Sequence, residues 1–311
     1  MPAIQTTNLT KAYGSTTALD SLKLTVEEGE VYGFLGPNGA GKSTTIDLLM
    51  DYIRPTHGDA HVLGFDAQAE TSAVHKRVGI LPDRFGVYAT LTGRQHVEFI
   101  IDTKNTDEDA ETLLSRVGLG DVAGKPARDY SKGMQQRLGL AMALVGEPQL
   151  LILDEPFSGL DPHGTRLVRE LVAAENRRGA TVFFSSHVLD QVERVCDRVG
   201  LLADGQLVAE GTPSEVRDEA GVVSRLFVQF SGGQSPSEAS VERARQTEGV
   251  AGVEVINEKL VIACQEPNVR YQALADIESE QSIATFDVES GTIEDAFVAY
   301  TDASSSTRSY Q

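Results

Sequence analysis

Gly36-Pro37-Asn38-Gly39-Ala40-Gly41-Lys42-Ser43 follows an unbroken apolar run, Val31–Leu35, and opens a stretch whose apolar residues Ile46, Leu49 and Met50 fall at helical spacing. Strand, glycine-rich loop and helix in that order give G-x-x-x-x-G-K-[ST] the setting in which it means a phosphate-binding loop. Its glycines let backbone N–H groups turn inward on a phosphate, and the helix N-terminus adds partial positive charge. Lys42 is placed to bridge β- and γ-phosphates, and Ser43 to offer its hydroxyl to Mg2+.

Leu150-Leu151-Ile152-Leu153-Asp154-Glu155-Pro156 sets two carboxylates at the end of a second apolar run. Open α/β sheets present their ligand-contacting residues there. With a phosphate loop upstream, Asp154 is expected to orient Mg2+ through its water shell and Glu155 to polarise an attacking water as general base.

Working outward, residues 4–31 carry short alternating apolar runs broken by Tyr13-Gly14-Ser15 and Glu28-Gly29-Glu30, which predicts antiparallel strands. Apolar strands at 77–81, 150–153 and 181–185 then alternate with helical stretches at 93–104, 132–145 and 164–178, the pattern of a parallel sheet covered by helices. Past 207–211 the character changes. A Ser/Gly/Pro-rich patch at 231–237 sits among strands at 225–230, 252–257, 259–264 and 283–288 separated by helical patterns. Strand, helix, two strands, helix, strand is the order of a ferredoxin-like split unit. The chain of 311 residues is long enough for two domains. The predicted division is 1–220, 221–300 and a polar, flexible tail at 301–311.

Asp and Glu total 46 against 27 Lys and Arg, a net charge of −19, so the basic footprint of a nucleic-acid binder is missing. The acidic excess is spread along the chain, as on the solvated surfaces of salt-adapted proteins. An anionic bilayer would repel it, so any membrane attachment is expected to run through a protein partner. No apolar run approaches the roughly 18 to 20 residues needed to span a bilayer. Residues 1–10 have neither a basic start nor a continuous apolar segment, which predicts a cytoplasmic compartment. Cys196 and Cys264 stand singly, without zinc or disulfide spacing, and read as small buried apolar residues.

Across roughly residues 3–211 these motifs resemble the ATP-binding cassette (ABC) proteins. Tyr130-Ser131-Lys132-Gly133-Met134-Gln135-Gln136-Arg137 is similar to that family's signature, and Ser158-Gly159-Leu160-Asp161 to its D-loop. His187 resembles the switch histidine that contacts the γ-phosphate, and Tyr13 the aromatic that stacks on adenine. The resemblance implies an α/β fold, a P-loop NTPase cassette with an antiparallel β subdomain, a parallel-sheet core and a helical subdomain, here followed by a small α+β C-terminal domain. It implies ATP and Mg2+ as cofactors. Nucleotide contacts fall to Tyr13, Gly36, Pro37, Asn38, Gly39, Ala40, Gly41, Lys42, Ser43, Thr44, Ser131, Gly133 and Asp161. Catalysis falls to Glu155, His187 and Lys42, and metal binding to Ser43 and Asp154.

Ser131 and Gly133, at a helix N-terminus, can hold a γ-phosphate, yet one fold cannot present them to its own phosphate loop. The family solves this by head-to-tail pairing of two subunits around two ATP molecules. Implied partners are therefore a second copy or a related ATPase subunit, and a multi-spanning permease on a separate chain; nucleic acid is not among them. That placement is cytoplasmic, peripheral on the inner face of the cell membrane. The closing segment Gly291-Thr292-Ile293-Glu294-Asp295-Ala296-Phe297 resembles the small domain appended to ATPases of multidrug-type exporters, which implies export.

Two positions depart from the commonest pattern. Lys132 stands where glycine is usual, a variant that recurs in the same exporter branch. Asp83 stands where a glutamine usually touches Mg2+ and the attacking water, which leaves open whether it reaches the ion directly; Gln95 lies beyond the expected loop. Phe230-Ser231-Gly232-Gly233-Gln234 copies the signature core more closely, but it follows the switch histidine and ends a strand in a turn. A soluble cassette ATPase acting on ribosomes or DNA shares the ATP motifs, though such chains usually carry two cassettes or long coiled-coil insertions. A P-loop metabolic kinase leaves the signature, D-loop and histidine unexplained.

Overall fold

The computed structural model describes residues 1–83, 85–188, 195–264, 267–289 and 291–308. The chain divides into two compact units, Met1–Pro213 and Ser214–Gln311. In order, the first unit runs β1 (Pro2–Tyr13), β2 (Thr16–Leu22), β3 (Thr25–Glu27), β4 (Val31–Leu35), α1 (Lys42–Leu49), β5 (His57–Val62), β6 (Phe65–Asp66), α2 (Thr71–Arg77) and β7 (Val78–Leu81). It continues with α3 (Gly93–Lys104), α4 (Ala110–Arg116), α5 (Lys132–Ala143), β8 (Leu150–Asp154), α6 (Pro162–Arg177), β9 (Thr181–Ser186), β10 (Arg198–Ala203) and β11 (Gln206–Gly211).

β1 is the spine of an antiparallel sheet ordered β2-β1-β5-β6, with β3 also paired to β1. The second sheet is ordered β11-β10-β4-β9-β8-β7, and all its pairs are parallel except β10–β11. β4, β8 and β9 are buried at every residue, as strands covered on both faces must be, and this is why they read as continuous apolar runs. One core joins the two sheets: Ile4, Leu9, Leu19 and Val62 from the antiparallel sheet, Ile46 and Leu49 from α1, and Phe34, Ile152 and Phe183 from the parallel one.

The parallel order has a direct consequence for function. β4, β9 and β8 are neighbours, so the segments leaving their C-terminal ends emerge side by side on one edge of the sheet. These segments are the glycine-rich loop, His187 and the acid pair.

Helices α3, α4 and α5 form the helical subdomain. α3 opens with a reciprocal capping box in which Gln95 N–H donates to Thr92 and Thr92 N–H donates to the Gln95 side chain. Gln95 is thereby committed to its own helix. α5 lies close against β7: a Cβ at Gly79 would sit 1.9 Å from the Ala143 carbonyl oxygen, and one at Gly139 2.5 Å from Leu81 Cδ1. Gly79→Ala is therefore expected to lower stability by about 1–3 kcal/mol, read as a shifted urea midpoint, because a backbone carbonyl must move to admit the methyl.

The second unit begins within α7 (Pro213–Glu219), a few residues ahead of the boundary that composition suggested. It continues with β12 (Ser224–Phe230), α8 (Glu238–Gln246), β13 (Val250–Ile256), β14 (Lys259–Cys264), α9 (Pro267–Glu278), β15 (Ile283–Glu289) and α10 (Ile293–Arg308). Its sheet is antiparallel throughout and ordered β13-β14-β12-β15, the ferredoxin-like arrangement expected from the element order. Leu226, Val228, Phe230, Leu260, Ile262 and Cys264 pack there against Ala244, Ala273 and Ile277 of the two covering helices. Ser231–Gly233, the imitation of the signature, is a tight turn ending β12. α10 carries helix through residues 301–308, inside the span read as a flexible tail; residues 309–311 lie outside the described residues.

Candidate active site

The edge formed by β4, β9 and β8 opens onto a cleft of about 440 Å³ lined by Ala18, Asn38, Gly39, Gly41, Lys42, Ser43, Thr44, Asp83, Glu155, Ser158 and His187. Two glycines make the loop possible. A Cβ at Gly36 would lie 2.3 Å from the Leu202 carbonyl oxygen, and Gly41, at φ 112°, would place one 2.6 Å from the Ala18 carbonyl oxygen. Gly39, at φ 86°, has nothing within 4 Å of its virtual Cβ, so its backbone faces open space in the cleft. Gly36, Pro37 and Ala40 shape the loop without lining the cleft: Ala40 is buried, its N–H donates to Pro37 O and its carbonyl accepts from Gly205 N–H.

α1 starts at Lys42 with no side-chain cap and no acidic residue in its first turn. Its leading N–H groups thus offer partial positive charge to an anion. Lys42 is 6% exposed. Its ammonium donates to Gly36 O at 2.7 Å and Pro37 O at 3.1 Å, and stands 3.6 Å from Glu155 Oε1.

The acid pair is held from several sides. Asp154 is buried and accepts a hydrogen bond from the Ser185 hydroxyl, with the Ser43 hydroxyl near enough to favour its charged form. Burial raises its carboxyl above the usual carboxylate range; those two hydroxyls oppose the rise, and the charges of Asp83 and Glu155 add to it. Asp47, on α1, is raised by burial and then by Asp154. Glu155 sits at φ 51°, a left-handed conformation that costs a residue with a Cβ roughly 1–2 kcal/mol and breaks the extended course of β8. Its N–H donates to Ser185 Oγ at 3.0 Å and its carbonyl accepts from Gln136 Nε2 at 3.1 Å. Its Oε2 lies 2.8 Å from His187 Nδ1.

The raised Asp154 gives a pH prediction with a definite sign. A carboxyl whose folded pKa exceeds its unfolded value favours the fold at low pH, and that contribution is lost as pH rises through the folded pKa. At pH 8 the aspartate therefore opposes folding. Asp154→Asn is expected to melt at a higher temperature than the natural chain at pH 8, with the difference shrinking as pH falls towards 4, in calorimetric scans without nucleotide.

Ser43 Oγ and the Asp83 carboxylate line the cleft, and the buried Asp154 carboxylate lies near enough to both to feel them; all are hard oxygen donors of the kind that suits Mg2+. Among the described residues no group of three or more His, Cys, Asp or Glu side chains is close enough to hold a metal by itself. Mg2+ commonly takes one or two protein oxygens and completes its octahedron with phosphates and water, a number that Ser43 and Asp154 or Asp83 would supply.

Other expected residues lie elsewhere. Tyr13 is 50% exposed at the end of β1, with the Lys11 ammonium 4.9 Å over its ring, and does not line the cleft; Ala18, on the paired β2, does. Ser131 is the N-cap of α5, its Oγ accepting from Met134 N–H, and Asp161 is the N-cap of α6, accepting from Gly164 N–H at 2.7 Å. Gly133 faces the D-loop, where a Cβ would approach Gly159 O at 3.3 Å and Leu160 Cδ2 at 3.4 Å. Signature and D-loop thus pack on one another within the chain, and of the two only Ser158, at the start of the D-loop, lines the cleft. Ser185 and Gln136 also hold the acid pair, though neither stands out in the sequence. Their signals were a serine near the end of a buried strand beside an acid pair, and a glutamine one turn into the signature helix.

A phosphate loop, an acid pair and a histidine leaving three adjacent parallel strands, beside an antiparallel sheet and a helical subdomain, define a P-loop nucleotide hydrolase of the cassette type. The comparisons agree. Residues 19–158 match the family described as ABC transporter. The bacitracin transport ATP-binding protein BcrA of Enterococcus faecalis is 38% identical over 230 residues, 73% of each chain. The daunorubicin/doxorubicin resistance ATP-binding protein DrrA of Streptomyces peucetius is 34% identical over 309 residues, 96% of this chain and 92% of its own. A solved ATP-binding subunit of an ABC transporter superposes at a TM-score of 0.65 with 28% identity, covering 70% of this chain and 93% of the other. A dimeric cassette with ADP and Pi shares the fold at 0.62 and 24% identity, covering 67% of this chain and 98% of that one. The chain belongs to the ABC transporter family, as an ATP-binding and ATP-hydrolysing subunit.

Proposed function

We propose that the chain powers export by closing head to tail on a second copy or a related subunit, with two ATP molecules between them. The observation that carries this reading is the convergence of Lys42, Ser43, Glu155 and His187 on one cleft, with Asp154 buried next to Glu155 at the end of β8, while Ser131, Gly133 and Asp161 lie outside the lining. In this reading the loop amides from Gly39 to Thr44 and the Lys42 ammonium bind the phosphates. Ser43 and Asp154, with Asp83 alongside, hold Mg2+, which offsets phosphate charge when bound. Glu155 takes a proton from the attacking water, and His187, hydrogen-bonded to that carboxylate, senses the γ-phosphate. Tyr13 contacts adenine from the rim.

ATP then works as a ligand with unequal affinity for open and closed dimers, and hydrolysis releases the closed one. The names of the similar proteins, transport and drug-resistance ATP-binding proteins, support a separate multi-spanning permease and a peripheral place on the cytoplasmic face; no described helix is long and apolar enough to cross a membrane. Export is favoured because similarity to a drug-resistance ATPase runs through the second unit. Tagged chain, purified at high salt from gently solubilised native membranes, is expected to bring down one stoichiometric multi-spanning protein. Ribosomal or chromosomal proteins in its place would reject the transporter assignment.

A further inference from the structure

Ser185, the penultimate residue of β9, stands opposite Asp154 in the β8–β9 register and is fully buried. Its hydroxyl does two things at once. It donates to Asp154 Oδ1, and it accepts the Glu155 N–H at 3.0 Å. A serine hydroxyl has a single proton, so donation to Asp154 turns a lone pair towards Glu155 and fixes the rotor. The first bond stops the Asp154 carboxylate from swinging about its Cβ–Cγ axis. The second ties down the amide of a residue held at φ 51°, the turn that brings the Glu155 carboxylate to His187 Nδ1. One buried oxygen therefore sets the orientation of both acids while lying outside the cleft lining.

We propose that Ser185 is a positioning residue for the acid pair, setting the metal affinity of the nucleotide site through Asp154 and the turnover rate through Glu155. This rests on the roles proposed above for those two residues. It predicts a separation that loss of packing alone would not give: nucleotide affinity without metal stays, while metal affinity and kcat fall together.

The test compares the full-length natural chain with Ser185→Ala and Ser185→Thr. Fluorescent ATP is titrated in EDTA, Mn2+ is titrated against the ATP-loaded chain by electron paramagnetic resonance, and kcat and KM are measured with Mg2+. For Ser185→Ala, metal-free ATP affinity should stay within about twofold, while Mn2+ affinity and kcat each fall about tenfold or more, the usual scale for a lost hydrogen bond to a buried charge. KM for ATP should move less than about threefold. Ser185→Thr, which keeps the hydroxyl on a branched side chain suited to a strand, should restore both quantities to within about threefold of natural. Unchanged Mn2+ affinity in the alanine chain, a parallel loss of metal-free ATP binding, or a threonine chain no better than alanine would each overturn the proposal. If the alanine chain does not fold, Ser185→Cys, of similar volume but a weak donor, should show the same falls, and natural behaviour there would overturn it. A natural chain that binds ATP but shows no metal-dependent turnover would instead remove the catalytic reading on which the proposal stands.

Discussion

Glu155→Gln is expected to bind ATP at least as tightly as the natural chain while turning it over about 10²–10⁴ times more slowly, the range a positioned general base supplies. Glutamine keeps the length of the side chain and can still meet His187, whose Nδ1 lies 2.8 Å from Oε2. It cannot accept a proton from water. Nor does it carry the negative charge that now stands 3.6 Å from the Lys42 ammonium, so more of that cation's field is left for phosphate. Nucleotide binding by equilibrium fluorescence and steady-state phosphate release separate the two effects. Natural turnover in this variant would show that the base is another group.

Lys42→Ala should produce the opposite pattern, loss of binding with the fold intact. Its ammonium is 6% exposed and is held by two carbonyls of the loop it serves, so little side-chain freedom remains to be lost when phosphates take over those contacts. Charge-assisted hydrogen bonds to phosphate contribute roughly 1.5–3 kcal/mol each, so losing them should weaken ATP binding by at least about 100-fold. The Pro37 carbonyl belongs to an exposed residue, and removing the lysine side chain opens a path by which water can reach the buried Gly36 carbonyl. Circular dichroism should therefore be unchanged, whereas a collapsed spectrum would mean that Lys42 supports the fold rather than the ligand.

The sequence made parts of this architecture legible for identifiable reasons. β4, β8 and β9 are buried on both faces and had to be continuous apolar runs, and a glycine-rich loop between strand and helix admits few other readings. β3 lies inside the stretch read as antiparallel strands, whereas β6 went unread because a strand of two residues is too short for any period to show. α2 and α4, seven residues each, are held by neighbours rather than by a pattern of their own. The serine-rich end of α10 looked like a tail because composition reports solubility, whereas helix there depends on backbone bonds carried on from Ile293.

At the site, the residues that carry charge were visible and those that aim them were not. Asp154 and Glu155 announce themselves after an apolar strand. Nothing in Phe184-Ser185-Ser186-His187 says that Ser185 bridges them, because that bond exists only once β8 and β9 are registered. Tyr13 was visible for another reason, its place ahead of the first turn, and the β1–β2 hairpin leaves it half exposed beneath Lys11, beside the cleft lining rather than in it.

The closed dimer is the centre of the account, and its mass in solution tests it most directly. Each copy carries a net charge of −19, so pairing is opposed by repulsion that about 1 M salt, with a screening length near 3 Å, largely removes. Light scattering of the Glu155→Gln chain in that salt with ATP and Mg2+ should give twice the 33.4 kDa chain mass, and with ADP and Mg2+ a single copy. One copy in both solutions, with ATP bound, would contradict the head-to-tail mechanism.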